Sequence, residues 1–95
     1  MKVDVLGTEY HVKWKHNYLG DGRLASTWCA IFPENYNWLG VAIVHTKDNG
    51  SKAIGRKISL TRALQNHQLF KDKPGYRQFV WTQYGKEFGF PEKRK

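Results

Sequence analysis

The first third of the chain alternates between apolar and polar positions. Val3 and Val5 precede Leu6-Gly7, and beyond this tight turn Tyr10, Val12 and Trp14 fall on one face while His11, Lys13 and Lys15 fall on the other. A period of two with a polar outer side predicts a half-buried β-hairpin. Residues 16–25, HNYLGDGRLA, read as a loop punctuated by Gly20 and Gly22. Residues 26–32, STWCAIF, form a third predicted strand, with Thr27, Cys29 and Ile31 opposite Trp28, Ala30 and Phe32. Pro33 is expected to end it, because proline has no N–H to give to a ladder. Residues 38–46, WLGVAIVHT, are almost continuously apolar and are expected to form a central strand. Leu39, Val41, Ile43 and His45 face one way and Gly40, Ala42 and Val44 the other, where their small size lets a helix approach closely.

After Lys47-Asp48-Asn49-Gly50 the period changes to 3.6. Ser51 suits an N-cap, its hydroxyl meeting an otherwise unpaired amide of the first turn. Ile54, Ile58, Leu60, Thr61, Ala63 and Leu64 then make a wide apolar stripe with His67 near its edge, which predicts a helix over about 52–67. Gly55 inside that helix costs about 1 kcal/mol relative to alanine. A second helix is expected to begin at Pro74, with Asp72 as its cap, and to stop at Gly89. Its apolar positions are Tyr76, Phe79, Val80, Tyr84 and Phe88, with Trp81 flanking. Strands followed by helices give the expected fold class: α+β, an antiparallel sheet of about four strands with both helices on one face. Trp14, Ile43, Leu64, Phe79 and Tyr84, each on the apolar side of its element, are expected to meet in one core.

Ninety-five residues suffice for one domain over about 1–90, able to bury roughly 60–65% of the unfolded surface. Its 14 aromatic residues supply bulky core material, and residues 91–95, PEKRK, read as a disordered basic tail. The net charge of +8 is unevenly placed. Residues 1–50 carry five cations and five carboxylates, whereas residues 51–95 carry 11 cations against Asp72, Glu87 and Glu92. Such asymmetry points to an acidic partner, or simply to a soluble basic surface. No apolar run is long enough for a membrane span, so a cytoplasmic protein with no membrane partner is expected.

Catalytic and metal chemistry find no motif. The candidate ligands Cys29, His11, His16, His45 and His67 include no CxxC pair and no histidines at helical metal spacing, so no metal or cofactor is expected. Carboxylates form no close pair, the serines lack a nucleophile elbow, and Cys29 lies mid-strand as a small core residue would. The sequence is therefore read as non-enzymatic. The candidate binding residues are the cations Arg56, Lys57, Arg62 and Arg77. Arg56 and Arg62 are expected on one broad side of the first helix, either paired with carboxylates such as Asp48 or Glu87 or offered to an outside partner. Tyr36 and Trp38, in FPENYNWLG, are either aromatic anchors of an interface or core residues folded over the sheet edge.

Gly40-Val-Ala-Ile, Asp48, the segment Gly55-Arg56-Lys57-Ile58 with Leu60 and Arg62-Ala63-Leu64, and then Arg77, Phe79, Trp81 and Tyr84 carry a resemblance. They are similar to a family of short bacteriophage accessory proteins with a GRK-x-x-L-x-RAL helix. The resemblance covers about half the chain and carries over no catalytic residue. It implies a viral protein in the host cytoplasm whose partner is a host protein or protein–nucleic acid complex. The expected function is accordingly a small basic binding protein that inhibits a nucleic-acid-handling or antiviral complex. Direct, weakly sequence-selective nucleic-acid binding is the first alternative, and a small enzyme or ligand-binding protein the second.

Overall fold

The computed structural model describes residues 1–32, 40–43 and 51–89. Four strands, β1 (Lys2–Val5), β2 (Thr8–Tyr18), β3 (Leu24–Phe32) and β4 (Gly40–Ile43), are followed by α1 (Lys52–Asn66) and α2 (Pro74–Phe88). The strands pair antiparallel in the order β1-β2-β3-β4, so the fold is the expected α+β arrangement. Leu6 and Gly7 close the first hairpin with φ of 52° and 90°, and Asp4 Oδ1 accepts the Gly7 amide at 2.9 Å. Two left-handed residues match the twist of a two-residue hairpin.

Register fixes the faces. Val3 opposes Tyr10, Val12 opposes Ile31, Trp14 opposes Cys29, and Cys29 opposes Gly40. These residues share the side on which both helices pack. There they form one core with Leu60, Ala63 and Leu64 of α1 and Val80 and Tyr84 of α2, with Trp14 against its margin. The opposite side carries Lys13, Lys15, Trp28, Phe32 and Val41. Lys13 and Lys15 lie 5.9 Å from the ring centres of Phe32 and Trp28 respectively.

Several expectations change. The 16–25 loop is shorter, because β2 runs on to Tyr18 and β3 starts at Leu24. Polar side chains sustain this extension: His16 Nδ1 meets Thr27 Oγ1 at 2.9 Å, and Asn17 Nδ2 donates to Ser26 Oγ at 3.1 Å. The strand expected to be central stands at the end of the described sheet order. Its Ile43 is 77% exposed rather than in the core, because Gly40 and Ala42 are the residues turned toward α1. Phe79 is also half-exposed, since α2 directs Val80 and Tyr84 inward. Trp14, Leu64 and Tyr84 do meet at the core.

Close approach sets the seat of α1. A methyl group built on Gly40 would overlap the Ser59 carbonyl and the Ala63 amide, and one on Gly55 would lie 2.5 Å from Thr27 Oγ1. Gly55, Ser59 and Ala63 therefore make a ridge of small residues at every fourth position, and the helix settles onto the sheet along it. Ile54 and Ile58, assigned by hydrophobicity to the buried stripe, are 60% and 40% exposed instead. Ser51 caps α1 as expected, its Oγ accepting the Ile54 amide at 3.4 Å. The α2 cap differs: Lys73 occupies the position before Pro74, with no side-chain cap from Asp72. Between the helices, Phe70 and His67 are buried beside Tyr10, with Tyr10–Phe70 centroids 5.4 Å apart. The Leu69 amide donates to His67 Nδ1 at 3.1 Å.

Among the described residues no helix is long and apolar enough to cross a membrane. Pro33, Tyr36, Trp38, His45, Asp48 and the tail 91–95 lie outside the described residues.

Candidate functional site

α1 and α2 run antiparallel over the sheet, and two clefts open between them. The first is lined by Ala53, Ile54, Arg56 and Lys57 from the start of α1 and by Tyr84, Phe88 and Gly89 from the end of α2. The second, about 310 Å³, is lined by Thr61, Leu64 and Gln65 of α1, by Lys71, and by Arg77 and Trp81 of α2. On α1 the residues 54, 57, 61 and 65 share one helical face, and on α2 so do 77, 81, 84 and 88. The two clefts therefore read as one groove along a shared helix–helix boundary. Among the described residues no carboxylate lines either stretch.

Aromatic rings build the wall. Tyr84 meets Trp81 with centroids 5.4 Å apart and Phe88 with centroids 5.0 Å apart. Trp14 rises from β2 to meet Phe88 edge-on at 5.5 Å, and its Nε1–H donates to the Arg56 carbonyl at 3.2 Å. The Arg56 guanidinium lies over Phe88, 4.4 Å from the ring centre, so its charge is met by a ring face. At the other end Arg77 Nη1 donates to the carbonyls of Phe70 at 2.7 Å and Lys71 at 2.9 Å. Those two bonds fix the guanidinium against the interhelical connection.

The structure thus brings together three of the four expected cations: Arg56, Lys57 and Arg77. Arg62 is on the opposite flank of α1, where its Nη1 donates to the Val41 carbonyl at 2.6 Å and ties the helix to β4. The expectation that Arg56 and Arg62 share one side is corrected for a geometric reason. Six residues on a helix turn through 600°, which separates the two side chains by about 120°. Tyr36 and Trp38, the possible aromatic anchors, lie outside the described residues.

Lys71, Trp81 and Phe88 belong to the groove without having been singled out as site residues. The spacing 77-81-84-88 marks a helical face that shares Tyr84 with the buried side and leaves Val80 off it, and that periodicity was the available signal. Most of the GRK-x-x-L-x-RAL segment is explained by architecture. Gly55 admits Thr27, Leu60, Ala63 and Leu64 fill the core, and Arg62 anchors β4. Arg56 and Lys57 are what it contributes to the groove.

The titratable groups fit structural duties. Burial pushes the Cys29 thiol up to about 12, a value at which it is no nucleophile at neutral pH. His16 is held below its ordinary value by burial first and then by the nearby Lys52 and Arg56 charges. Among the described residues no group of three His, Cys, Asp or Glu side chains is placed to hold a metal ion. In comparison with known proteins, the chain matches no family model, no curated sequence and no solved structure.

Proposed function

We propose that the protein is a non-enzymatic binding module that engages an acidic macromolecule through the groove between α1 and α2. One observation carries this reading: Arg56 and Lys57 line one cleft and Lys71 and Arg77 the next along the α1–α2 boundary, with Trp81, Tyr84 and Phe88 on its wall and, among the described residues, no carboxylate. Cations facing a shared concavity raise the local concentration of an anionic partner, and amphipathic rings beside them supply contact area. The placement of the other chemistry supports a module without catalysis. The Cys29 thiol is raised to about 12, and His16 and His67 hydrogen-bond within the fold.

The bacteriophage resemblance of the GRK-x-x-L-x-RAL segment makes the partner a host protein or protein–nucleic acid complex in the host cytoplasm, and the effect its inhibition. Capture from host lysate, with and without nuclease, tests the reading. Arg56→Glu with Lys57→Glu is expected to lose the captured partner, and added salt is expected to release it from the wild type. Arg62→Gln, which removes the tie to β4 and leaves the groove charges in place, is expected to keep it. Undiminished capture by the double reversal, with the variant folded, would overturn the proposal.

A further inference from the structure

The wider end of the groove has a composition of its own. Its cleft of about 310 Å³ joins an ammonium (Lys71), a guanidinium (Arg77), two neutral polar side chains (Thr61 and Gln65) and an indole (Trp81). Arg77 is oriented by the bonds from Nη1 to the Phe70 and Lys71 carbonyls, which leaves Nε and Nη2 as a fork for a further acceptor. Lys71 is exposed, and its ammonium has no partner among the described residues. Trp81 is half-buried, with Tyr84 against it at an interplanar angle of 70°.

A purely acidic peptide, with no apolar side chain to set against them, would use the cations and leave the rings idle. A ligand whose repeating unit carries both an anion and a flat ring uses both. The cleft volume lies at the small end of the range for ligand pockets, enough for one such unit and too little for a duplex. We infer that this end of the groove is a nucleotide subsite, in which Arg77 and Lys71 hold a phosphate and Trp81 stacks on the attached base. The acidic component that the groove grips is then the single-stranded nucleic acid of a protein–nucleic acid complex, and the rings of Tyr84 and Phe88 continue the track toward Arg56 and Lys57. This inference rests on the groove being the binding surface, but its test is separable.

The probe is a fluorescein-labelled 12-nucleotide oligo(dT), titrated by anisotropy over a salt series, with polyglutamate as competitor. Trp81→Leu keeps apolar bulk and removes the ring face; it is expected to weaken binding about ten-fold or more, while Trp81→Phe retains most of the affinity. Lys71→Gln alters only an exposed side chain and is expected to lower the logarithmic salt slope by about 0.7, one phosphate on a single strand. Wild-type affinity and slope in both Trp81→Leu and Lys71→Gln would overturn the subsite, as would an oligo(dT) that fails to bind at low salt. If polyglutamate displaces the oligonucleotide at equal charge concentration and binds Trp81→Leu unchanged, the occupant is an acidic peptide. In that case the nucleotide assignment falls while the groove stands. Loss of the groove itself is read separately, from the Arg56→Glu, Lys57→Glu capture.

Discussion

α1 and α2 are each 15 residues long and lie on the same face of one sheet, yet they are held in opposite ways. α1 is seated by small residues: Gly55, Ser59 and Ala63 bring its backbone down onto β3 and β4, and Leu60 and Leu64 fill the space beside them. α2 buries only Val80 and Tyr84, and its remaining apolar mass is in rings that meet edge-on and stand partly in solvent. Small residues close a contact, while large rings bridge a wider one and leave clefts between them. The groove lies where the second mode borders the first.

Truncation separates the two modes most sharply. Leu64→Ala is expected to cost about 4 kcal/mol, because Leu64 is fully buried and α1 has no slack to collapse into the cavity. Phe79→Ala on α2, half-exposed, should cost about 1 kcal/mol or less. Denaturant melts of both variants measure the contrast, and equal losses would break it.

Enlargement probes the same contact from the other side. Gly40→Ala is expected to cost about 3 kcal/mol, since the new methyl group would meet backbone atoms of α1 rather than a side chain able to turn away. A loss under about 0.5 kcal/mol in the same melt would mean that β4 and α1 are not in close apposition. Phe88→Ala, at the groove rim, should cost about 1 kcal/mol. A double-mutant cycle with Arg56→Gln should then give a coupling of about 0.5–1 kcal/mol from the lost stacking.

The smallest effect is set by pH. His16 has its folded-state pKa below the ordinary 6.5, so the unfolded chain binds the proton more readily. Stability is therefore expected to be fully present above about pH 6.5 and to decline as the pH falls through 6.5 toward the folded value. Melts of wild type and His16→Gln across this window check the sign: the variant should show a shallower decline, and a steeper one would contradict it.

The strands, both helices and the Ser51 cap were legible because each rests on local spacing. So was the small-residue face of β4, where Gly40 and Ala42 alternate with larger neighbours. The face of α1 was not. Hydrophobic periodicity weighs Ile54 and Ile58 above Gly55 and Ser59, whereas the sheet selects by the depth of approach. The extent of β2 was hidden for a related reason, as His16 and Asn17 look like loop residues until their partners Thr27 and Ser26 stand opposite. Arg56, Lys57 and Arg77 could be nominated from charge. That they share a groove depends on where two helices settle relative to each other, which no local pattern encodes; that Arg62 stands apart from Arg56 follows from the helical angle between them.

Cys29 is the one thiol in the chain, and it has no exposed surface, lying in β3 between Trp14 and Gly40. With its pKa raised to about 12 it is also overwhelmingly protonated at neutral pH, so burial and protonation suppress its reactivity together. An alkylating reagent can reach it only when the sheet parts from α1. The rate at which folded protein consumes such a reagent is thus a direct reading of how often the core opens, and the chain carries its own stopwatch without any label being added.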